Sequence, residues 1–501
     1  MTSTSAKSAV GHVRAESLTS SRVLTAAWSL PTLVWAAMAG WSLGLFLIVR
    51  RDYLEFRLAK YDLGNMTQAV WSTAHGHPLG TTDATGEEIV RLASHVDPIL
   101  VLLAPLWIVA PSPLTLAAVQ IVACGLGALP VFWLARRHLG SEKAAALLAV
   151  VYLAYPWLAW TALDAVHPVT LAIPLFLYAI WFLDSRRLVA FAVCAALALM
   201  TGELMGLPVA ALGLWYWLAR GERRVGLAVA AAGTAWTVVS FEVVVPAFRG
   251  GHSPFYGRYE SVGGSPLGIL KTTFTDPGAI VSALTTHHDL TYLVWLSAPL
   301  MGAFLLAPGL AAVALPQLAL NGLSDWFTTT DPRHHYIAGV IPFLFAASVF
   351  GVARVPAERR PRIAALMALV CLGFGLFLGP WPGLPRLRPG PVGFHAKLPA
   401  EHVAALRAAE SLVPADAPVS ATNTAGSRLS ARRYIYSVPV LGKSEWIVLD
   451  TWNTWMPAVP RRSEGQHPDV LQAFRVRIEK SPRWRKVFER DGVLVFERTT
   501  T

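Results

Sequence analysis

Apolar segments about as long as a membrane-spanning helix recur along this chain, and they constrain its fold more than any other feature of the sequence. The first, residues 28–49, follows a polar segment that carries Lys7, Arg14 and Arg22, and it is too long for the apolar core of a cleaved signal peptide. Only 15% of the residues are charged and 54% are hydrophobic, unlike a soluble protein. The sequence therefore predicts an integral membrane protein with an uncleaved signal anchor.

Basic residues exceed acidic ones by 42 to 31, a net charge of +11. Much of this excess lies in short loops between apolar runs, at residues 136–143, 186–187, 220–224 and 354–362. The positive-inside rule places these loops and the N-terminus in the cytoplasm. The charge therefore indicates topology and argues against a nucleic-acid partner.

Loop charge also decides whether the apolar run at residues 99–110 crosses the membrane. If it crossed together with residues 114–134, Arg136 and Arg137 would lie outside. The run has 12 residues, short of the roughly 20 that a span needs, so we expect an interfacial or re-entrant helix on the outer side. About 11 crossings then remain, and the C-terminus lies outside. The expected spans are 28–49, 114–135, 144–159, 169–184, 188–201, 204–219, 225–246, 290–306, 309–323, 336–353 and 363–380.

The predicted organisation is a cytoplasmic tail (1–27), an all-α polytopic membrane domain (28–380) with long outer loops at 50–97 and 246–289, and an extracytoplasmic α/β domain (381–501). Five prolines between residues 380 and 391 make a stiff linker before this last domain. Its apolar runs shorten to strand length, as at 446–449 and 493–496, and Asp491-Gly492 predicts a closing hairpin.

Carboxylates at both ends of the first outer loop are candidate site residues. Asp62 follows Tyr61 near the start of the loop, and Asp97 stands between His95 and Pro98 at its end. A solvated loop acid costs little, so Asp62 is equally compatible with a turn or helix cap. For Asp97 a cap before Pro98 is the stronger alternative.

Two further outer turns carry polar residues that membranes disfavour. Asp164 and His167 are three residues apart and either share a hydrogen bond or simply start the next helix. Glu203 lies in the only polar break between two apolar runs, so it needs a cation, a substrate or a protonated state, unless the turn merely reaches the headgroups.

Arg258 stands among Phe255, Tyr256 and Tyr259, a pattern suited to a phosphate or a sugar face, and almost equally to an interfacial aromatic belt. His334-His335 precede the next span outside. They could ligate a metal, but no cysteine or carboxylate stands at zinc-like spacing around them. The sequence therefore does not show whether a metal binds, and a divalent-cation cofactor stays open.

The chain has no nucleotide-binding loop, dinucleotide fingerprint or nucleophile elbow. Nucleotide sugars remain in the cytoplasm, so a transferase acting outside would need a lipid-carried donor.

Several ordered motifs resemble a family of prokaryotic membrane proteins, domain-of-unknown-function family 2079. The motifs span nearly the whole chain. They are Tyr61-Asp62-Leu63-Gly64, Ser94-His95, Pro98-Ile99-Leu100, Ala128-Leu129-Pro130, His167-Pro168, Pro316-Gln317, His335-Tyr336 and Val419-Ser420-Ala421-Thr422-Asn423.

That family resembles the GT-C glycosyltransferases, which use polyprenyl-phosphate sugars on the non-cytoplasmic face. The resemblance implies a GT-C-like fold and makes Asp62, the acid in the first outer loop, the catalytic base or a metal ligand. Two positions depart from the family pattern, since Gly202-Glu203-Leu204 keeps one acid of two and position 97 holds Asp.

The favoured hypothesis is transfer of a sugar from a polyprenyl-phosphate donor to an unknown acceptor outside the plasma membrane, with Asp62 as base. Donor and acceptor would be bound by the outer polar residues, namely His95, Asp97, Asp164, His167, Glu203, Arg258 and His335. The alternatives are a transporter or lipid flippase, and a membrane scaffold with an outer binding domain. The absence of internal repeats and the clustering of the acids at one face argue against a transporter.

Overall fold

The computed structural model describes residues 29–383, 397–457 and 463–499, apart from the side chain of His287. The N-terminal tail and most of the proline-rich linker lie outside the described residues. Elsewhere the chain is mostly helical, with one small mixed sheet near its C-terminus.

Nineteen α-helices precede the C-terminal domain within residues 29–383, and many of them are short because proline or glycine ends them. They are α1 (Leu30–Leu54), α2 (Asn65–Ala74), α3 (Ala104–Val109), α4 (Pro113–Leu126), α5 (Ala128–Leu139), α6 (Glu142–Ala154), α7 (Pro156–Leu163), α8 (Ala172–Asp184), α9 (Leu188–Leu199), α10 (Gly206–Arg220), α11 (Arg223–Val239), α12 (Val245–Arg249), α13 (Pro266–Thr275), α14 (Pro277–Leu284), α15 (His287–Ser297), α16 (Pro308–Ala311), α17 (Leu315–Gly322), α18 (Ile341–Ala353) and α19 (Arg360–Leu378).

Four continuous helical segments among the described residues are long and apolar enough to cross a membrane, at Leu30–Leu54, Pro113–Leu139, Arg223–Arg249 and Ala357–Leu378. A fifth arises if α6 and α7, which meet at an angle of 48°, form one bent span. The bend falls at Pro156, which cannot donate the backbone hydrogen bond that would continue α6. A multi-pass membrane domain is therefore supported, but the predicted count of about 11 is not confirmed.

Some unconfirmed spans correspond to apolar helices that are too short, such as Leu188–Leu199 and Ile341–Ala353, and others are divided into several pieces. The expected spans 290–306 and 309–323 become α15, α16, α17 and intervening single turns, because Pro299, Gly302, Pro308 and Pro316 interrupt the backbone hydrogen bonding. The helix expected at 99–110 is present as Pro98–Val109, too short to span.

The C-terminal domain is a five-stranded mixed sheet with helices α20 (Ala400–Leu412), α21 (Asn423–Arg428) and α22 (Pro468–Glu479). Strands β1 (Gly80–Thr82) and β2 (Glu88–Val90) form a separate hairpin in the first long loop. The sheet order is β4-β3-β5-β9-β8, with β3 parallel to both neighbours and β9 antiparallel to both of its own. The domain strands are β3 (Val419–Ala421), β4 (Ile435–Ser437), β5 (Trp446–Asp450), β6 (Trp455–Met456), β7 (Gly465–Gln466), β8 (Trp484–Arg490) and β9 (Val493–Arg498).

The predicted closing hairpin is confirmed by the pairing of β8 with β9. Asp491 and Gly492 connect the two strands with φ values of 48° and 77°, the left-handed conformation that a tight hairpin turn requires.

The first long loop (residues 50–97) packs directly against the C-terminal domain. Phe56 is 1% exposed and belongs to the apolar core of that domain, together with Val419 and Val448. The Arg428 guanidinium stacks on Phe56, and the Gln68 side-chain amide donates to the Arg433 carbonyl at 2.8 Å. The loop that carries Asp62 is therefore held between the helical bundle and the C-terminal sheet.

Candidate active site

Asp62 lies on a single π-helical turn, Lys60–Gly64, between α1 and α2. Its side chain is 33% exposed, and its Oδ1 is 3.7 Å from Nε2 of His167. Neither this turn nor α2 has a side-chain cap, so Asp62 is not a helix cap, although it does lie on a turn as the other alternative expected. Single π-helical turns are frequent at functional sites because they redirect side chains out of the regular helix.

Asp164, in the turn after α7, binds through its carboxylate to the loop that precedes α18. Its Oδ2 accepts hydrogen bonds from the backbone N–H of His335 at 2.8 Å and from His335 Nδ1 at 2.9 Å. The imidazole of His334 approaches Oδ1 at 3.4 Å. The expected hydrogen bond between Asp164 and His167 is present, since His167 Nδ1 donates to the Asp164 carbonyl at 2.6 Å, but its acceptor is the backbone and not the carboxylate.

The imidazoles of His167 and His335 stack with centroids 3.6 Å apart. Because Nδ1 of His167 is committed to a carbonyl acceptor, the His167 nitrogen that faces Asp62 is Nε2, which is free to carry or release a proton. Asp62, His167, His335 and Asp164 thus form one continuous group of side chains, which we call the Asp62–Asp164 cluster.

Burial and mutual charge separate the protonation states in this cluster. Burial, followed by the neighbouring His167, lowers the pKa of His335 to about 4, so its imidazole is neutral at pH 7. Burial would also lower the pKa of His167, but the carboxylates of Asp62 and Asp164 outweigh it and raise that pKa. The two histidines are therefore shifted in opposite directions: His335 is a neutral hydrogen-bond donor to Asp164, whereas the neighbouring carboxylates favour the protonated form of His167.

A metal ion could also be held in this cluster. One ligand atom each from Asp164, His167 and His335 lies within 4.8 Å of the others, and a carboxylate with two imidazoles is a set that Zn²⁺ or Mn²⁺ accepts. No zinc-like spacing is visible in the sequence because the ligands come from two segments far apart in the chain. The Asp164 carboxylate also has hydrogen-bonding partners within the protein, so the geometry fits an ion without requiring one.

Glu203 finds its partner in the first long loop. Its Oε1 lies 3.1 Å from His95 Nδ1, and its Oε2 accepts the Val96 backbone N–H at 3.0 Å. Burial raises the pKa of this carboxyl, but His95 and the backbone donors outweigh it and lower the pKa to about 2. The sequence-based requirement for a partner is thus met by the protein itself.

His95 connects Glu203 to a stack of aromatic rings around Arg258. The His95 ring stacks on Phe255 at 4.4 Å, and the Arg258 guanidinium lies 4.4 Å from the Phe255 ring and 4.0 Å from the Trp326 ring. The Nε of Arg258 is buried without a hydrogen-bond partner among the described residues. A guanidinium held between two rings with an open donor is suited to an anionic ligand.

Arg258 also lies within electrostatic reach of the Asp62–Asp164 cluster. The pKa of Glu464 is raised, mainly by burial. Arg258 acts to lower this pKa, and the Asp62 carboxylate acts to raise it. Burial also raises the pKa of Tyr336. Asp164 and Asp62 raise this pKa further, whereas Arg258 lowers it. Arg258 and the cluster therefore belong to one electrostatic environment.

Asp97 is placed differently from the other predicted site residues. It is 2% exposed and receives Arg91 Nε at 3.0 and 2.8 Å, forming a buried ion pair. Asp97 occupies the N-cap position of the helical turn at Pro98, as the capping alternative expects, but its side chain makes no capping hydrogen bond there. Its predicted binding role finds no support in these contacts.

A cavity of about 80 Å³ opens beside Asp164. Three arginines, Arg51, Arg57 and Arg333, line it together with Asp52 and apolar residues from the end of α1. Asp52 pairs with Arg51 and Arg57, and Asp331 pairs with Arg333. Neither Asp62 nor Glu203 lines this cavity. The prediction that all three carboxylates share one cavity therefore remains a prediction, although Asp62 and Asp164 do meet through His167.

Sequence reasoning missed several residues that the C-terminal domain brings to Asp62. The ring of Trp455 lies 5.1 Å from that of Tyr61, and Glu464 precedes β7, which pairs with the strand of Trp455. Their positions in loops of a separate domain left no local signal. Only the packing of the first long loop against the sheet places them here.

A domain with several membrane-length apolar helices, packed against a small C-terminal sheet, describes a multi-pass membrane protein. The chain belongs to the family described as "Predicted membrane protein (DUF2079)", whose model matches residues 53–495. The resemblance inferred from the sequence motifs is therefore confirmed.

The fold is also similar to that of ArnT. Two crystal structures of ArnT from Cupriavidus metallidurans match this chain. The structure bound to undecaprenyl phosphate matches with a TM-score of 0.52, and the apo structure with a TM-score of 0.51. In both comparisons the identity is 14%, and the match covers 93% of this chain and 98% of ArnT. None of the curated proteins matches this chain.

Proposed function

We propose that this protein is a membrane glycosyltransferase that moves a sugar from a polyprenyl-phosphate donor to an acceptor on the non-cytoplasmic face. The observation that carries the proposal is the placement of Asp62, a partly exposed carboxylate on a π-helical turn that faces His167 at 3.7 Å. A carboxylate so placed can reach a substrate and exchange a proton with it. The ArnT fold, found in complex with undecaprenyl phosphate, supports a lipid-linked donor.

Asp62 acts as the base in the proposed reaction. It removes the proton of the acceptor hydroxyl as that oxygen bonds to the anomeric carbon of the sugar. The bond from this carbon to the phosphate oxygen breaks at the same time, and polyprenyl phosphate leaves with the electron pair. Attack opposite the leaving group inverts the anomeric configuration. His167 lies 3.7 Å from Asp62 and orients its carboxylate toward the acceptor hydroxyl.

Positive charge assists departure of the phosphate. Arg258 has a buried Nε without a partner among the described residues, and charge-assisted hydrogen bonds to phosphate are strong. The cavity beside Asp164 has the apolar residues Ile48, Leu58 and Trp160 in its wall and suits the apolar chain of the donor, although its arginines are already paired with Asp52 and Asp331. Asp164 and Glu203 orient the residues that contact the donor. If a divalent cation binds Asp164, His167 and His335, it supplies further charge to the phosphate.

The transporter and scaffold alternatives explain fewer contacts. Asp62, Asp164 and Glu203 all lie in turns between helices, whereas the ion-coupling residues of a transporter are expected near the bilayer midplane. A scaffold gives no reason for a partly exposed carboxylate beside a histidine of raised pKa.

The proposal is tested with full-length protein in proteoliposomes that contain an undecaprenyl-phosphate sugar. Undecaprenyl phosphate is expected to raise the melting temperature, because a ligand of the folded state stabilises it, whereas undecaprenol, which lacks the phosphate, has a much smaller effect. A glycosylated product should form from cell-envelope acceptors. Movement of solute or lipid across the vesicle without any glycosidic product would instead establish the transporter alternative.

The same proposal requires the C-terminal domain and the basic loops to lie on opposite sides of the membrane. Thr422 is 2% exposed and unsuitable for labelling, whereas Arg223 and Gln472 are both exposed. In a background without Cys124, Cys194 and Cys371, single cysteines at these two positions should react with a membrane-impermeant maleimide from opposite compartments. Labelling of both from outside intact cells would refute the orientation.

A further inference from the structure

The motif 419–423 in the C-terminal domain contributes nothing to the proposed chemistry directly, yet its last residue contacts the turn that carries Asp62. Asn423 Oδ1 accepts the backbone N–H of Tyr61 at 3.0 Å. The two residues are 362 positions apart in the sequence. Asn423 is 3% exposed, so water competes little for this hydrogen bond.

The sheet topology explains why Asn423 reaches Tyr61. Strand β3 lies between β4 and β5 and is parallel to both, and Asn423 begins α21 one residue after Thr422 at its carboxyl end. Ligands of parallel sheets bind at this edge, where loops leave the strands. In this protein the edge is instead occupied by the first long loop of the membrane domain.

The Tyr61 N–H needs a partner from outside its own turn. It belongs to the second residue of a π-helical turn, where the first donors have no acceptor within the helix. Asn423 therefore serves as a capping side chain supplied by another domain. The Nδ2 group of Asn423 is buried without a partner among the described residues, so the contact to Tyr61 is the hydrogen bond through which this amide acts.

Close backbone packing keeps the contact rigid. A side chain at Gly64 would collide with the hydroxyl of Ser430, and one at Gly426 would meet Lys60 Cβ at 3.0 Å. The turn and α21 can approach so closely only because both positions are glycine. Movement of the C-terminal domain must consequently displace the turn as well.

We propose that Asn423 is a positioning residue that fixes the Asp62 turn, so that the C-terminal domain sets the geometry of the site in the membrane domain. The consequence for activity rests on the proposed function, since it assumes that Asp62 acts in the transfer. The hydrogen bond from Tyr61 to Asn423 and its effect on the turn do not depend on the proposed function, and they can be measured without a substrate.

The test is hydrogen–deuterium exchange of residues 60–65 in the full-length protein in nanodiscs. Loss of one buried hydrogen bond in Asn423→Ala should speed exchange of the Tyr61 amide about tenfold. Asn423→Asp keeps an acceptor at Oδ1 and should retain slow exchange. Asn453→Ala is the matched control, because it removes an amide of the same domain whose Oδ1 has no partner among the described residues.

Unchanged exchange in Asn423→Ala, or equally fast exchange in Asn423→Asp, would overturn the proposal. If Asn423→Ala does not fold, the comparison of Asn423→Asp with wild type still decides it, since fast exchange in that variant excludes the acceptor role.

The activity arm separates this proposal from the proposed function. Where wild type transfers sugar, Asn423→Ala should lower kcat roughly tenfold to a hundredfold while KM for the undecaprenyl-phosphate sugar stays near wild type, and Asn453→Ala should change neither. Faster exchange with unchanged kcat would refute positioning of Asp62. Absence of transfer by wild type would refute the proposed function and leave the exchange result as the test of the contact.

Discussion

Replacing Asp62 by Asn is expected to abolish sugar transfer by the reconstituted protein, because the amide cannot take a proton from the acceptor hydroxyl. Loss of a general base lowers the rate by roughly 10²–10⁴-fold. Expression and stability in detergent should stay near wild type, since Asp62 is 33% exposed and its ion pair with His167 spans 3.7 Å. Initial rates at saturating donor, measured beside melting temperatures, separate the two effects.

Asp276→Asn provides the matched control. Asp276 also lies in a long loop, and its Oδ1 accepts the Ala279 N–H at 3.1 Å as the cap of α14. Asn preserves this cap, so transfer should be unchanged. Glu203→Gln should weaken the reaction less than Asp62→Asn, because Glu203 contacts His95 and Val96 and acts through them. Full activity of Asp62→Asn would exclude the catalytic assignment even though the fold is similar to that of ArnT.

Replacing Lys60 by Met is expected to stabilise the protein at pH 7. Lys60 is 2% exposed, and its ammonium donates no hydrogen bond in the part of the chain that the structure describes. Burial lowers the pKa of Lys60 from 10.5 to about 8, against the opposing effect of Asp83. A shift of this size corresponds to about 3 kcal/mol of unfavourable free energy for the charged form in the folded state, which the uncharged Met side chain avoids.

The stabilisation should disappear in alkaline solution. Below pH 8 both the folded and the unfolded chain carry the charged amine, so wild type bears the full cost of burying it. Between pH 8 and 10.5 the unfolded chain binds the proton more strongly than the folded one, and wild-type stability therefore rises with pH. Above this range the amine is neutral in both states.

Melting temperatures of wild type and Lys60→Met in detergent, measured from pH 7 to pH 10.5, check this prediction. Lys271→Met is the control, because Lys271 is exposed on α13 and its replacement should alter stability little at any pH. A Lys60→Met protein that melts below wild type at pH 7 would show that the buried ammonium has a stabilising partner.

Much of the fold could be predicted because its signals are local. Apolar runs and basic loops identified a multi-pass membrane domain, and Asp491-Gly492 identified the hairpin that closes the sheet. Span boundaries were predicted less well. Hydropathy does not register how strongly Pro299, Pro308 and Pro316 break a helix, so apolar stretches expected as single spans became several short helices.

The candidate site was predictable only in its parts. The position of Asp62 in the first long loop and the turn that holds Asp164 and His167 were evident from the sequence. The partners of these residues were not, because each pairing joins distant segments. His335 meets Asp164 across 171 positions, and Glu203 meets His95 across 108. Both pairings follow from which helix ends are neighbours in the bundle.

By itself the sequence determined that this chain is a membrane protein, that a small α/β domain follows the helices, and that its chemistry-bearing side chains lie in the loops. These properties depend on hydropathy and turn propensity, which act within a few residues. Only the tertiary structure decided that Asn423 binds the turn of Asp62 and that Lys60 is buried beneath it. Such contacts depend on how helices and sheet pack together, and no local pattern encodes that packing.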